Sequence, residues 1–368
     1  MLLYDPTLAA NYKDYGINIP IPADRGRQVL HSLEKKFYPG TRGTTLPYPG
    51  PVLDTREALA YLGISAGEPV ITRTDLERVH SKEFIASLYG EGLEAALLNT
   101  FELIDAQGNP CRYEPDKAVR PLTDLFSILL AHVSGTYLAC RLALTEGPGF
   151  CFYLGGGQHH ARYDGPSGFC LVNDIVISSR KLLAEGRAAH IWIIDMDAHK
   201  GDGTAELIGL ARKSGEACKI RTLSIHMARG WPLDEESLCL AKEGRAPLVP
   251  SDIDIGIEAG EEDEYCTRLM EGIRELEKLS EKDAHTAEGI GPSSRPDLIL
   301  VVDGADPYEH DGLPSSGLLK LSLEQCIQRD MLVYRYAVDR NIPSAWVSSG
   351  GYGERAWEPP ANFLRALR

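Results

Sequence analysis

Four short apolar runs of this chain each end in glycine and polar residues whose types could do chemistry. Gly155-Gly-Gly-Gln-His159-His160 follows Phe150–Leu154, and Asp195-Met-Asp197-Ala-His199-Lys200-Gly-Asp202-Gly follows Ile191–Ile194. Asp303-Gly-Ala-Asp306 follows Leu298–Val302, and Ser348-Ser-Gly350-Gly351-Tyr352-Gly follows Ala345–Val347. Asp197 and His199 stand two residues apart, and in an extended segment such residues project to the same side. A carboxylate and an imidazole so disposed can bind one zinc ion, with Asp306 as a third ligand. Three protein ligands leave a fourth position open, which is the catalytic arrangement. The metal then acidifies a water and polarises a carbonyl. Each residue alone has a plainer reading. Asp306 also suits a turn or a cap, the His159-His160 pair a hydrogen-bonded core position, and Tyr352 an aromatic packed between glycines. Their shared position at strand ends favours a common pocket.

The runs that must position these residues are short and continuously apolar, as in parallel strands covered on both faces. Thr222–Ile225 is a fifth such run. Helical patterns lie between them. Asn173–Glu185 is one, and Glu261–Leu279 is another, with Tyr265, Leu269, Ile273 and Leu276 at helical spacing. Ser322–Asp339 is a third, opened by Ser322 and Gln325 as a capping box. This alternation predicts an α/β fold, a single domain over residues 1–368 with a largely parallel β-sheet flanked by helices. In open parallel sheets ligands bind beyond the carboxyl ends of the strands. Tyr38–Pro51, rich in Gly, Pro and Thr, reads as a long loop, and residues 282–296 read as an exposed insertion.

Composition sets outer limits. With 368 residues, 43% of them hydrophobic, the chain can bury a sizeable core. A formal net charge of -15 is unfavourable for a nucleic-acid backbone. It suits a cationic substrate, or serves solubility alone. No run reaches about eighteen consecutive apolar residues, so no membrane span is expected. The first residues, Met-Leu-Leu-Tyr-Asp-Pro-Thr, do not read as a signal peptide. The eight cysteines (Cys111, Cys140, Cys151, Cys170, Cys218, Cys239, Cys266 and Cys326) form no Cys-x-x-Cys pair. Most lie in apolar segments, as buried thiols do, which fits a reducing cytoplasm.

Several motifs together resemble those of histone deacetylases. They are Gly156-Gly-Gln-His159-His160-Ala, Ser167-Gly-Phe169-Cys170-Leu-Val-Asn173-Asp174, Asp195-x-Asp197-x-His199-x-Gly-Asp202-Gly, Gly304-Ala-Asp306 and Gly350-Gly-Tyr352. They occur in the family's order and at similar spacings. Thr74-Asp-Leu-Glu-Arg-Val-His80-Ser extends the likeness, which runs from about Pro20 to about Tyr352. The class IV branch looks closest, since no second histidine follows His199 and Gly256–Tyr265 resembles that branch's acidic segment. The resemblance implies the arginase/deacetylase fold and removal of acyl groups from lysine side chains. It implies Asp197, His199 and Asp306 as zinc ligands, and His159 and His160 as the tandem catalytic histidines, with His160 the general base. Asp195 and Asp202 would stand behind the two histidines, and Tyr352 would donate to the substrate carbonyl. Phe169 and Gly168, with Gly350 and Gly351, would line the acyl-lysine tunnel. A potassium ion beside the zinc would be held through Asp195, Asp197, His199, Ser224 and Ile225. Ser224 and Ile225 also read as plain strand residues.

Some residues depart from the family pattern. Lys200 stands where many members have histidine, with its side chain expected to point away from the metal. Gln158 replaces the commoner Trp or Phe and could change the pocket floor. Arg25 or Arg27 could gate an internal cavity, or be a surface arginine. Three functions follow: a lysine deacylase acting on acetyl or long-chain fatty acyl groups of proteins or peptides; an amidohydrolase for acetylpolyamines or similar small amines; and an inactive acyl-lysine-binding module.

Overall fold

The apolar runs form the centre of an eight-stranded, wholly parallel sheet. The computed structural model of the chain describes residues 1–34, 51–105, 107–145, 149–215, 219–235, 237–238, 248–286 and 295–367. The strands are β1 (Leu2–Leu3), β2 (Val52–Leu53), β3 (Phe150–Tyr153), β4 (Ile191–Asp195), β5 (Ile220–Met227), β6 (Ile253–Ile257), β7 (Leu298–Asp303) and β8 (Ser344–Ser348). Their spatial order is β2-β1-β3-β8-β7-β4-β5-β6. Pairing is parallel throughout, with Asp195 opposite Ser224 on one side and Val302 on the other.

Alternate strand residues enter two separate cores. Ile191, Ile193, Leu298, Leu300, Ala345 and Val347 face one. Trp192, Ile194, Ile299, Val301 and Trp346 face the other. Helices Leu125–Ala143 and Asp174–Ala184 cover the first face, and helices Tyr265–Thr286, Leu323–Asp339 and Glu358–Ala366 the second. This two-sided cover is why the central strands read as unbroken apolar runs.

The expected helices are present with adjusted ends. Asn173 caps the helix Asp174–Ala184, its side chain accepting from Val176 N at 3.0 Å. Ser322 and Gln325 form the capping box expected of them. A 3₁₀ turn at Glu262–Glu264 precedes the helix Tyr265–Thr286, which runs into the segment read as an insertion from residue 282. Residues 287–294 of that segment, residues 38–50 of the expected loop, and Cys218 and Cys239 lie outside the described residues. One segment, Leu122–Ala143, is long and apolar enough by length and composition to cross a membrane. It is interrupted by polar residues, and 56% of its most apolar window is buried inside the molecule.

Candidate active site

β4, β7, β8 and β3 lie side by side, so their carboxyl ends bring the four polar clusters to one place. The extended geometry expected for Asp197 and His199 is not what unites them. β4 ends at Asp195, and residues 197–199 bend. The bend folds the His199 ring back, so that its Nδ1 lies 3.3 Å from Asp197 Oδ1 and 2.9 Å from Asp306 Oδ2. Asp197, His199 and Asp306 are each at most 4% exposed. A tetrahedral zinc with bonds of about 2.0–2.1 Å holds its ligand atoms roughly 3.3 Å apart, so this donor set fits the ion.

Backbone amides aim both carboxylates. Asp197 Oδ2 accepts from Gly350 N at 2.8 Å, and Asp306 Oδ1 accepts from Ala198 N at 3.0 Å. That close approach requires glycine at 350, where a Cβ would stand 2.5 Å from Asp306 Oδ2 and 2.6 Å from Asp197 Oδ2. Buried carboxylates so close repel each other. Burial, then Asp197, raises Asp306 to about 7, and burial and the two carboxylates act on His199 in opposite directions, leaving it at about 10. A cation between the three groups relieves this crowding.

The tandem histidines stand beside the cluster, their ring centroids 3.9 Å apart. His159 Nδ1 donates to Asp195 Oδ2 and His160 Nδ1 to Asp202 Oδ1, both at 2.7 Å. The second ring nitrogen, Nε2, then faces the metal cluster in His159, 3.7 Å from Asp197 Oδ1, and remains open in His160. The two pairs differ electrostatically. Burial opposes the charge of His159, but Asp195 and Asp197 hold it up at about 9. Burial and the neighbouring His159 charge push His160 down to about 4. Asp202 also binds Arg162, which helps bring its carboxyl down to about 2 against the effect of burial. The glycine loop before the histidines is pinned by Asp174, whose carboxylate accepts from Gly157 N at 2.9 Å and Gln158 N at 2.7 Å.

Tyr352 and Phe169 complete the site, with ring centroids 6.1 Å apart. Asp311 accepts from Tyr352 N at 2.7 Å, and Tyr352 O accepts from Gly312 N at 2.9 Å. Burial, then Asp306 and Asp197, push the Tyr352 phenol well up, so it stays a proton donor. Phe169 takes φ 64°, an uncommon value for a non-glycine residue. Gly168 before it has φ 52°, and a Cβ there would strike Trp231 and the His160 ring. Trp231 packs its ring 4.5 Å from His160 and 5.8 Å from His199.

A cavity of about 210 Å³ joins these residues to a second region behind them. It runs from Asp197, His199 and Tyr352 past Gly155, Gly156 and Gly157 to Tyr12, Leu129 and His132. Arg25 lines it and donates to Gly350 O at 2.8 Å and Ser349 O at 2.7 Å, tying down the loop that carries Gly351 and Tyr352. Arg27 is exposed and pairs with Asp24, so Arg25 alone borders the cavity. Gln158 belongs to the floor, its Oε1 accepting from Leu171 N at 3.0 Å. Lys200 turns away from the metal cluster and pairs with Asp254. Ser224 Oγ accepts from Gly201 N at 3.3 Å, and Ile225 is wholly buried beside it on β5. The sequence alone does not mark Trp231 or Asp311 as site residues. Trp231 lies in a loop just after β5, and that strand-end position is its one sequence signal.

Known proteins resemble the chain in sequence and in fold. The model of the histone deacetylase domain matches residues 52–362. Histone deacetylase 2 of Arabidopsis thaliana is 26% identical over 281 residues, covering 76% of this chain and 61% of the relative. The acetoin utilization protein AcuC of Staphylococcus aureus is 30% identical over 205 residues, 56% of this chain and 46% of that protein. The alignments therefore span about half to three fifths of these relatives' own length. Among solved structures, an acetylpolyamine aminohydrolase from Burkholderia pseudomallei superposes with a TM-score of 0.62 at 15% identity, covering 99% of this chain and 97% of that one. The HD domain of HDA15 superposes with a TM-score of 0.59 at 17% identity, covering 100% and 90%. At these identities the structures speak for the fold alone. The domain match spans most of the sequence, and on that ground the chain belongs to the histone deacetylase family.

Proposed function

We propose that the chain is a zinc-dependent hydrolase that removes acyl groups from lysine side chains of proteins or peptides. The carrying observation is the convergence of Asp197, His199 and Asp306 beside two Asp-backed histidines and Tyr352. Asp197, His199 and Asp306 would hold the zinc, whose chemistry is to polarise the substrate carbonyl and acidify water. Asp202 fixes the Nδ1–H tautomer of His160, leaving Nε2 to take the proton from the attacking water and return it to the leaving amine. His159, held by Asp195, contributes positive charge beside the reacting carbonyl. Tyr352 donates its hydroxyl to the carbonyl oxygen as negative charge develops there. Phe169, Gly168, Gly350 and Gly351 border the path of the acyl-lysine.

The finer assignments rest on particular residues. The cavity behind the site, floored by Gly155–Gly157, supports acyl groups longer than acetyl, which also suits the class IV branch. Asp195 opposite Ser224, with Ile225 next along β5, supports a potassium site beside the zinc. Buried thiols at Cys140, Cys151 and Cys326 support a reducing, cytoplasmic setting. The alternative substrate is an acetylpolyamine, favoured by the charge of -15.

Metal analysis with deacylation assays tests the proposal. About one zinc per chain is expected, with turnover of acetyl- or myristoyl-lysine peptides that stops on chelation and falls about 100-fold or more in Tyr352→Phe and His160→Ala. Faster turnover of acetylspermidine would favour the polyamine reading. A folded, zinc-loaded chain without turnover of either class would leave the binding module.

A further inference from the structure

Arg329 lies outside the cavity, on the helix Leu323–Asp339, and is wholly buried. Its guanidinium reaches the backs of both metal-binding loops. Nη1 donates to Met196 O and to Gly304 O, each at 3.0 Å, and Nη2 pairs with Asp303. Nε donates to Asp330 Oδ1 at 2.7 Å. Met196 sits between Asp195 and Asp197, and Gly304 lies two residues before Asp306. The β4–β7 ladder ends where Asp195 faces Val302, before the two loops diverge toward their ligands. One planar fork therefore continues the strand pairing past its last register pair. Asp303 extends the tie to a third loop, since its carbonyl accepts from Ser349 N at 3.0 Å, next to Gly350.

We infer that Arg329, held by Asp330 and Asp303, is a positioning residue that sets the spacing between Asp197 and Asp306 and hence the affinity of the site for zinc. A buried arginine needs a negative partner, and the adjoining carboxyl groups of Asp303 and Asp330 together supply it. Both carbonyls are reached from Nη1; what a lysine ammonium lacks is the rigid plane that at the same time sets Nη2 on Asp303 and Nε on Asp330 and so fixes where Nη1 lies. A plain core ion cluster would support packing of this helix on the sheet without controlling the ligands. The inference rests on the zinc reading above.

The test titrates zinc against a chelator in metal-free parent, Arg329→Lys and Asp330→Asn, and records the absorption spectrum of each with cobalt. The parent is read first; if it binds no zinc, the zinc reading fails and this inference falls with it. Given a zinc-binding parent, Arg329→Lys is expected to bind zinc roughly 10- to 100-fold more weakly, the range for residues that orient metal ligands, with a shifted cobalt band. Asp330→Asn, which keeps the fork but replaces the carboxyl acceptor of Nε by an amide, is expected to weaken zinc binding less while remaining folded. Zinc affinity within twofold of the parent in every variant that folds overturns the inference, as does loss of fold in both.

Discussion

At the residue scale the site is governed by how closely backbone must approach carboxylates. Gly350 sends its N–H to Asp197 and leaves its missing side chain as space beside Asp306. Gly350→Ala is therefore expected to lower zinc affinity at least about 100-fold, because the methyl must displace one ligand carboxylate from a site where outer-shell changes alone cost 10- to 100-fold. The metal-free melting temperature should hold within a few degrees. Stoichiometric, tightly held zinc in Gly350→Ala would show that Asp197 and Asp306 do not form the site. Which residues are legible in the sequence follows from the same chemistry. Asp197, His199, Asp306 and Tyr352 can be read because their types are rare together and fall just after apolar runs. Arg329 cannot: an arginine within a helical pattern is by default a solvated residue, and only the fold shows its guanidinium buried between two loops. Trp231 is hidden for another reason. It reaches His160 through loop geometry that no periodicity encodes.

At the element scale, strand ends supply the chemistry and a helix start secures it. Asn173 opens the helix Asp174–Ala184 through its Oδ1, while its Nδ2 donates to His159 O at 3.3 Å and to Thr204 Oγ1 at 3.1 Å. One side chain thus caps a helix and steadies a catalytic loop. Asn173→Ala should lose about 1–2 kcal/mol of stability from the cap. Asn173→Ser keeps a cap oxygen but has no amide to reach His159, so it should recover much of that stability while kcat stays down roughly tenfold. Denaturant midpoints and kcat for both variants decide it; recovery of kcat in Asn173→Ser would limit Asn173 to capping. The same scale explains which strands the sequence reveals. β3, β4, β5, β7 and β8 are covered on both faces and read as apolar runs. β6 alternates apolar with Asp254 and Gly256 at the sheet edge, and β1 and β2 are two residues long, too short for any pattern.

For the whole molecule, acid stability depends on buried histidines that the fold keeps neutral. His80 is 1% exposed and joins three parts of the chain. Its Nδ1–H donates to Arg162 O at 2.7 Å and its Nε2 accepts from Asn173 N at 3.0 Å, an assignment fixed by the network. A proton on Nε2 would break the second bond, and burial drives the pKa from 6.5 down to about 4. A histidine depressed in the folded state contributes stability that is complete above its unfolded value. That stability is lost as pH falls from about 6.5 toward about 4, because the unfolded chain takes up the proton first. The loss is at most about 3 kcal/mol. Asp306 and Asp311, raised to about 7 and about 6 in the metal-free protein, act in the opposite sense and gain from protonation. The parent's stability curve therefore mixes both signs, and the difference between parent and His80→Gln isolates one. Measured by urea unfolding of metal-free protein at constant ionic strength, that difference should be flat above about pH 6.5 and shrink steadily down to about pH 4. A difference that does not change between pH 7 and pH 4 would mean that the fold does not hold the His80 pKa below its unfolded value, and that the neutral bridge from Arg162 to Asn173 does not form.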